Sequence, residues 1–310
     1  MKGRAVLWLA ALGVAAAVVS VPLYLRLFEQ PGAGGVPAVA APAAAPGAGT
    51  SPASAFGLVV TSVTGEVTRA LSGGGAAPVA RGEVLKVDDE LRTGRGGAVV
   101  LELTEGTAVW MWPDSVLAVR TLADSLSRLR LLAGKVDVAV PLRAGRTFGL
   151  EGADTGLAST NGAQFSAIVD GRKVFTVATV SGEVVLAAGD RAVRIPAGMA
   201  SLAAPGGAPA AAAPIPRTIG LRVDWPSART RDPEAAVEGD APVGVLVSVG
   251  GVRVAVDAAG RFRARVPLSE GINRIDVEAE DATGNKRSET SPPIVRDSSP
   301  PALKVAPTWK

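Results

Sequence analysis

The sequence predicts an all-β chain of two units behind one N-terminal membrane helix. Three observations carry that prediction. Past residue 55, short Val- and Leu-rich stretches alternate with polar residues and are punctuated by Gly, the pattern of half-buried strands and tight turns. Two Ala/Pro/Gly-rich stretches, 29–55 and 205–218, divide the chain. One apolar run, Ala5–Leu25, opens it. The expected division is a signal-anchor helix at 1–28, a linker at 29–55, a β-unit at 56–204, a linker at 205–218, a second β-unit at 219–297 and a disordered tail at 298–310.

The apolar run is long enough, at about 1.5 Å per helical residue, to cross a hydrocarbon core of roughly 30 Å. Lys2 and Arg4 precede it and orient it N-in, C-out. Trp8 and Tyr24 stand near its two ends, where interfacial aromatics belong. The rival reading is a cleaved signal peptide, whose apolar core is usually shorter, about 7–15 residues. The nearest A-x-A, Ala38-Val39-Ala40, lies well downstream. The expected placement is therefore the bacterial inner membrane, single-pass, with the bulk of the chain in the periplasm.

In the first β-unit three segments look alike: TSVTGEVTRA at 61–70, LLAGKVDVAV at 131–140 and ATVSGEVVLA at 178–187. Each sets Gly and a charged residue just before Val, which reads as a β-turn opening a strand. Such reuse suggests a coiled or stacked β-architecture. Leu122–Leu132 also fits a helical period, but Ser127–Leu132 alternates Arg and Leu and is assigned as strand.

The stretch Leu91-Arg92-Thr93-Gly94, then AVVLELTEGTAVWMWPDSVLAV, resembles the core of the FecR-type domain of bacterial envelope proteins. The matching pieces are Thr93-Gly94, Glu105-Gly106-Thr107, Ser115, the Gly134-Lys135-Val136 and Gly182-Glu183-Val184 turns, and Gly198. Where that family has Gly-Thr-x-Phe, this chain has Gly162-Ala163-Gln164-Phe165. The resemblance covers about 57–204 and implies a solenoid-like β-domain outside the cytoplasmic membrane. Well-known members relay a transporter signal to a sigma factor through a cytoplasmic segment ahead of the membrane helix. Only Met1–Arg4 stands there, so the expectation is no direct sigma factor partner.

Candidate binding residues are few. Trp110 and Trp112 share one strand face, either covering the core or forming an exposed aromatic platform for a sugar or peptide. Arg128 and Arg130 share a face if their segment is a strand, as a solvated surface or a contact for anionic envelope groups.

In the second unit, Val252, Val254 and Val256, then Phe262, Ala264 and Val266, alternate about the turns Gly250-Gly251 and Ala259-Gly260. The series Asp257, Gly260, Phe262, Leu268, Gly271, Asn273, Ile275, Asp281, Gly284 and Asn285 resembles bacterial Ig-like modules and implies a β-sandwich. Asp281 to Asn285 is first a turn; a Ca²⁺ site is the alternative.

The chain has no Cys and no His, which removes disulfides, thiolate chemistry and the common nucleophilic triads. With 32 basic and 29 acidic residues and no basic run past the N-terminus, a nucleic-acid role has no support. No catalytic residue, cofactor or metal ligand is assigned. The expected function is a non-catalytic binding or scaffold role toward an envelope protein or glycan. The alternative is a periplasmic component of sigma-factor signalling that acts through a separate membrane partner.

Overall fold

The structure, a computed structural model, describes residues 57–70 and 75–299. The expected membrane helix, the whole first linker and all but the first two residues of the expected tail lie outside the described residues. Within them every regular element is a strand, and no helix is long and apolar enough to cross a membrane.

The first sixteen strands form one hydrogen-bonded assembly. They are β1 (Leu58–Thr64), β2 (Val67–Ala70), β3 (Ala76–Pro78), β4 (Val84–Leu85), β5 (Glu90–Thr93), β6 (Ala98–Leu103), β7 (Ala108–Met111) and β8 (Val116–Leu122). There follow β9 (Leu126–Val140), β10 (Thr147–Gly152), β11 (Gly156–Thr160), β12 (Ala163–Val169), β13 (Phe175–Ala188), β14 (Arg191–Pro196), β15 (Met199–Ala203) and β16 (Ala213–Pro214). One layer runs β16-β15-β13-β12-β9-β7-β6-β1-β4, the other β3-β2-β5-β8-β9-β10-β11-β13-β14. All these pairings are antiparallel except β9 with β10. Strands β9 and β13 belong to both layers, so β9-β10-β11-β13-β12 closes into a five-stranded barrel.

Alternation places the core between the layers. Leu129 and Leu131 of β9 point inward and are fully buried, while Arg128 and Arg130 point out. Val136 and Val138, past the bend, face the same core from the other layer, with Phe148, Phe165 and Phe175 filling its middle.

The three look-alike segments mark where the chain crosses between layers. Gly134 sits inside β9 at φ 90°, and Gly182 inside β13 at φ 76°. At φ 63°, Gly65 separates β1 from β2. A Cβ on Gly134 would run into the Ser115 side chain, so both the backbone angle and the space require Gly. At Gly65 the expected turn does open a strand, β2, whereas at Gly134 and Gly182 it is a corner within a strand that continues on both sides. Physically, pairing on both sides outlasts the bend, because each half finds partners in a different layer.

Ten more strands follow: β17 (Arg222–Asp224), β18 (Arg229–Thr230), β19 (Glu234–Asp240), β20 (Leu246–Val249) and β21 (Val252–Val254), then β22 (Arg261–Pro267), β23 (Gly271–Asn273), β24 (Asp276–Glu280), β25 (Lys286–Thr290) and β26 (Ile294–Arg296). They form sheets β17-β19-β22, β18-β26-β23 and β21-β20-β24-β25 about a separate core that includes Val237, Val247, Phe262 and Val277. The Gly250-Gly251 hairpin is present, with both residues at positive φ and Val249 opposite Val252. A small apolar contact of Ile168 and Ala178 with Leu246 and Ala282 joins the two β-units.

Candidate functional site

In β7 the inward positions fall to Val109 and Met111, at 0% and 1% exposure. Trp110 and Trp112 therefore take the outer face of the first layer, opposite in phase to a core placement. Trp110 is half-buried and pairs across the ladder with Asp137, and Trp112 is 41% exposed. Arg128 and Arg130 point out of the other layer, so the structure does not bring the two candidate pairs together. Both arginines meet Glu151, at 3.5 and 2.7 Å, and Arg130 also reaches Asp154 at 3.4 Å.

Beyond Trp112 the chain is pinned by buried hydroxyls. Thr93 Oγ1 donates to the Trp112 carbonyl at 2.6 Å and accepts the Ser115 N–H at 2.9 Å. Ser115 Oγ accepts the Lys135 N–H at 2.9 Å, just past the Gly134 corner. Two of the residues that carried the family resemblance, Thr93 and Ser115, thus hold the Trp112–Ser115 turn to that corner.

The turn and the corner present a polar cluster to the second β-unit. Lys135, only 3% exposed, sets its Nζ 2.7 Å from Glu280 Oε1 and 5.6 Å from the centre of the Trp112 ring. Trp112 Nε1 donates to Asp137 Oδ2 at 2.6 Å. Burial is the main influence on Asp137 and pushes its carboxyl up, against Lys135 and the Ser166 and Trp112 donors, with Glu280 adding to the rise. From the other side Arg253 donates to the Pro113 carbonyl at 2.9 Å and lies 3.8 Å from Asp114. Burial pulls the Arg253 guanidinium down, and Asp114 and Glu280 oppose it. The cluster can clamp one unit on the other; it holds no arrangement of nucleophile and base. Sequence reasoning missed Lys135, Asp137, Arg253 and Glu280. Lys135 and Asp137 look like ordinary outward positions of a strand, and no local signal pairs them with residues 145 positions away.

Asp281 is spent on its own turn. Its Oδ1 accepts the Thr283 and Asn285 N–H groups at 2.9 and 3.0 Å, and its Oδ2 accepts Asn285 Nδ2 at 2.9 Å. Among the described residues no three acidic side chains group as a metal site.

Residues 89–185 match the FecR protein family. They are a FecR region. The FecR region runs from the turn before β5 into β13 and contains all of β9 to β12. Two crystal structures of a proposed anti-sigma factor from Parabacteroides distasonis are similar in part, at 15% and 14% identity with TM-scores of 0.37 and 0.36. Each likeness covers 40% of this chain and 59% of that chain. No curated protein matches. Against the expectation of no direct sigma factor partner, both of those structures are of a proposed anti-sigma factor. That expectation stood only on the shortness of the stretch before Ala5, and where a chain begins does not bound what it touches.

Proposed function

We propose that this chain is a non-catalytic signalling component of the bacterial envelope that links an event outside the cytoplasmic membrane to a sigma factor. The FecR region at 89–185 carries the reading. In it the Ala5–Leu25 run is a single-pass anchor and the β-units face the periplasm. The first unit, with its five-stranded barrel, acts as the receiving domain, and the second as an Ig-like sandwich clamped on it through Lys135 and Glu280. The absence of His and Cys from the sequence agrees with a binding role. The exposed Trp112 edge favours a second reading, a scaffold for an envelope protein or glycan.

Site-directed photocrosslinking of the full chain in host cells tests this. The expected products contain a sigma factor, or a membrane protein that itself retains one, and deletion of the gene changes transcription of that factor's targets. Crosslinks to glycan or structural envelope proteins alone, with every sigma-dependent transcript unchanged, would leave the scaffold reading in its place.

A further inference from the structure

Strand β25 is an edge of the sheet β21-β20-β24-β25. It pairs with β24 on one side and, on the other, with no strand among the described residues. We propose that this edge pairs antiparallel with β25 of a second copy of the chain, about a two-fold axis through Ser288, and so forms a symmetric dimer. The inference goes beyond the signalling reading of the chain and does not rest on it.

The hydrogen-bond phase of the β24–β25 hairpin fixes what the edge offers. At its two ends the Asp281 N–H donates to the Asn285 carbonyl at 3.1 Å, and the Ser291 N–H to the Ile275 carbonyl at 2.8 Å. Bonded and non-bonded pairs alternate along an antiparallel ladder. Arg287 and Glu289, opposite Ala279 and Val277, therefore spend their backbone groups on β24. Lys286, Ser288 and Thr290 turn theirs to the open side. In a pairing centred on Ser288, the two copies of Ser288 exchange hydrogen bonds, and Lys286 of each copy does so with Thr290 of the other. Every open backbone group of the strand then finds a partner.

Charge selects the partner. Arg287 and Glu289 share the face of β25 that lies beside the buried Val277 and Ala279. Within one chain they stand 3.3 Å apart, with side chains 57% and 29% exposed. The same register sets Arg287 of each copy opposite Glu289 of the other, at a non-hydrogen-bonded position where opposing side chains come closest. Charged side chains usually keep an edge unpaired. Here their order makes the strand its own complement. The two longer edge strands are not self-complementary: in β22, Arg261, Arg263 and Arg265 would oppose one another, and β14 ends in Pro196, which has no N–H to give. A strand of five residues buries well under the roughly 1,200 Å² of a standard interface, so the dimer is weak and forms as concentration rises.

The chain has no Cys, so one introduced thiol reports the pairing without background. In Ser288→Cys the two thiols of a dimer meet at the axis, where the Cα atoms of a bonded pair are about 5.5 Å apart and within disulfide reach. In Thr290→Cys they stand about 14 Å apart along the strands, out of reach. Full-length protein in detergent is oxidised mildly, and the disulfide dimer is measured on a non-reducing gel. Ser288→Cys is expected to give dimer and Thr290→Cys little. Adding Arg287→Glu or Glu289→Arg to Ser288→Cys sets like charges opposite each other and should cut the dimer at least about fivefold. A mixture of those two chains restores both ion pairs, as does the double change in one chain, and each should recover the dimer. The recovery also shows that the single variants are folded. No dimer from Ser288→Cys, equal crosslinking at both positions, no effect of the single charge changes, or no recovery overturns the proposal.

Discussion

Glu280→Gln takes away the charge that Lys135 faces across the joint while keeping the size of the side chain. At 2.7 Å, the attraction is roughly 6 kcal/mol at an effective dielectric constant of about 20. That gross figure is offset by the water Lys135 gave up, so removing one partner of a well-buried pair costs about 3–5 kcal/mol. Two features reduce it here. The Glu280 side chain is 21% exposed, and the Trp112 ring stays near the ammonium. The expected loss is therefore about 2–3 kcal/mol in urea unfolding of the full chain. In a Lys135→Met background the same change should cost under about 0.5 kcal/mol, because no buried cation remains to be stranded. A Glu280→Gln chain within about 0.5 kcal/mol of the parent, or an equal loss in both backgrounds, would refute the account of Lys135 as the buried centre of the joint.

Three further outcomes follow from the same geometry. Trp112→Ala removes the indole donor to Asp137 and the ring beside Lys135, and should cost about 1–2 kcal/mol rather than the roughly 3–5 of a core Trp, as read by thermal unfolding. Gly152→Ala drives a Cβ into the ring of the fully buried Phe175 and should lower stability by about 3 kcal/mol or abolish soluble expression, whereas an Ala at the open Gly189 turn should be far milder. Asp137 has its carboxyl raised in the folded state, so its contribution is fully present below about pH 4 and is lost as pH rises through the folded value. Asp137→Asn should therefore gain stability relative to the parent as pH rises above about 4, and a difference independent of pH would contradict that sign.

Some of this was readable from residues alone. Period-two alternation gave the strand at Ser127–Leu132, with Leu129 and Leu131 inward. The Asp281 turn and the Gly250-Gly251 hairpin were legible because each needs a side-chain acceptor or positive φ at fixed offsets. Alternation could not choose the inward face of β7, where Val109 and Met111 compete with Trp110 and Trp112 and both sets are apolar. Register decides it, because Val109 and Met111 stand opposite the buried Leu101 and Val99 of β6 and Val138 and Val136 of β9. A Gly at positive φ looks the same in sequence whether it reverses the chain or bends a strand through a corner, so the Gly134 and Gly182 segments predict turns from sequence alone. The joint was illegible for a different reason, since Lys135 and Glu280 carry no local mark of each other.

The sharing of β9 and β13 between two layers has a consequence for the order in which the chain can mature. A protein made or threaded from its N-terminus has β9 available before β12 exists. Until Ala163–Val169 arrive, Gly134–Val140 can be hydrogen-bonded by β7 on one side only, and its other side is an open edge of the kind that recruits foreign strands. The barrel closes only when β13 returns to cover β12 and β11 together. For the interval between those events the nascent chain carries a sticky margin about seven residues long, so holding factors that bind extended backbone should matter most when between roughly 140 and 190 residues have emerged.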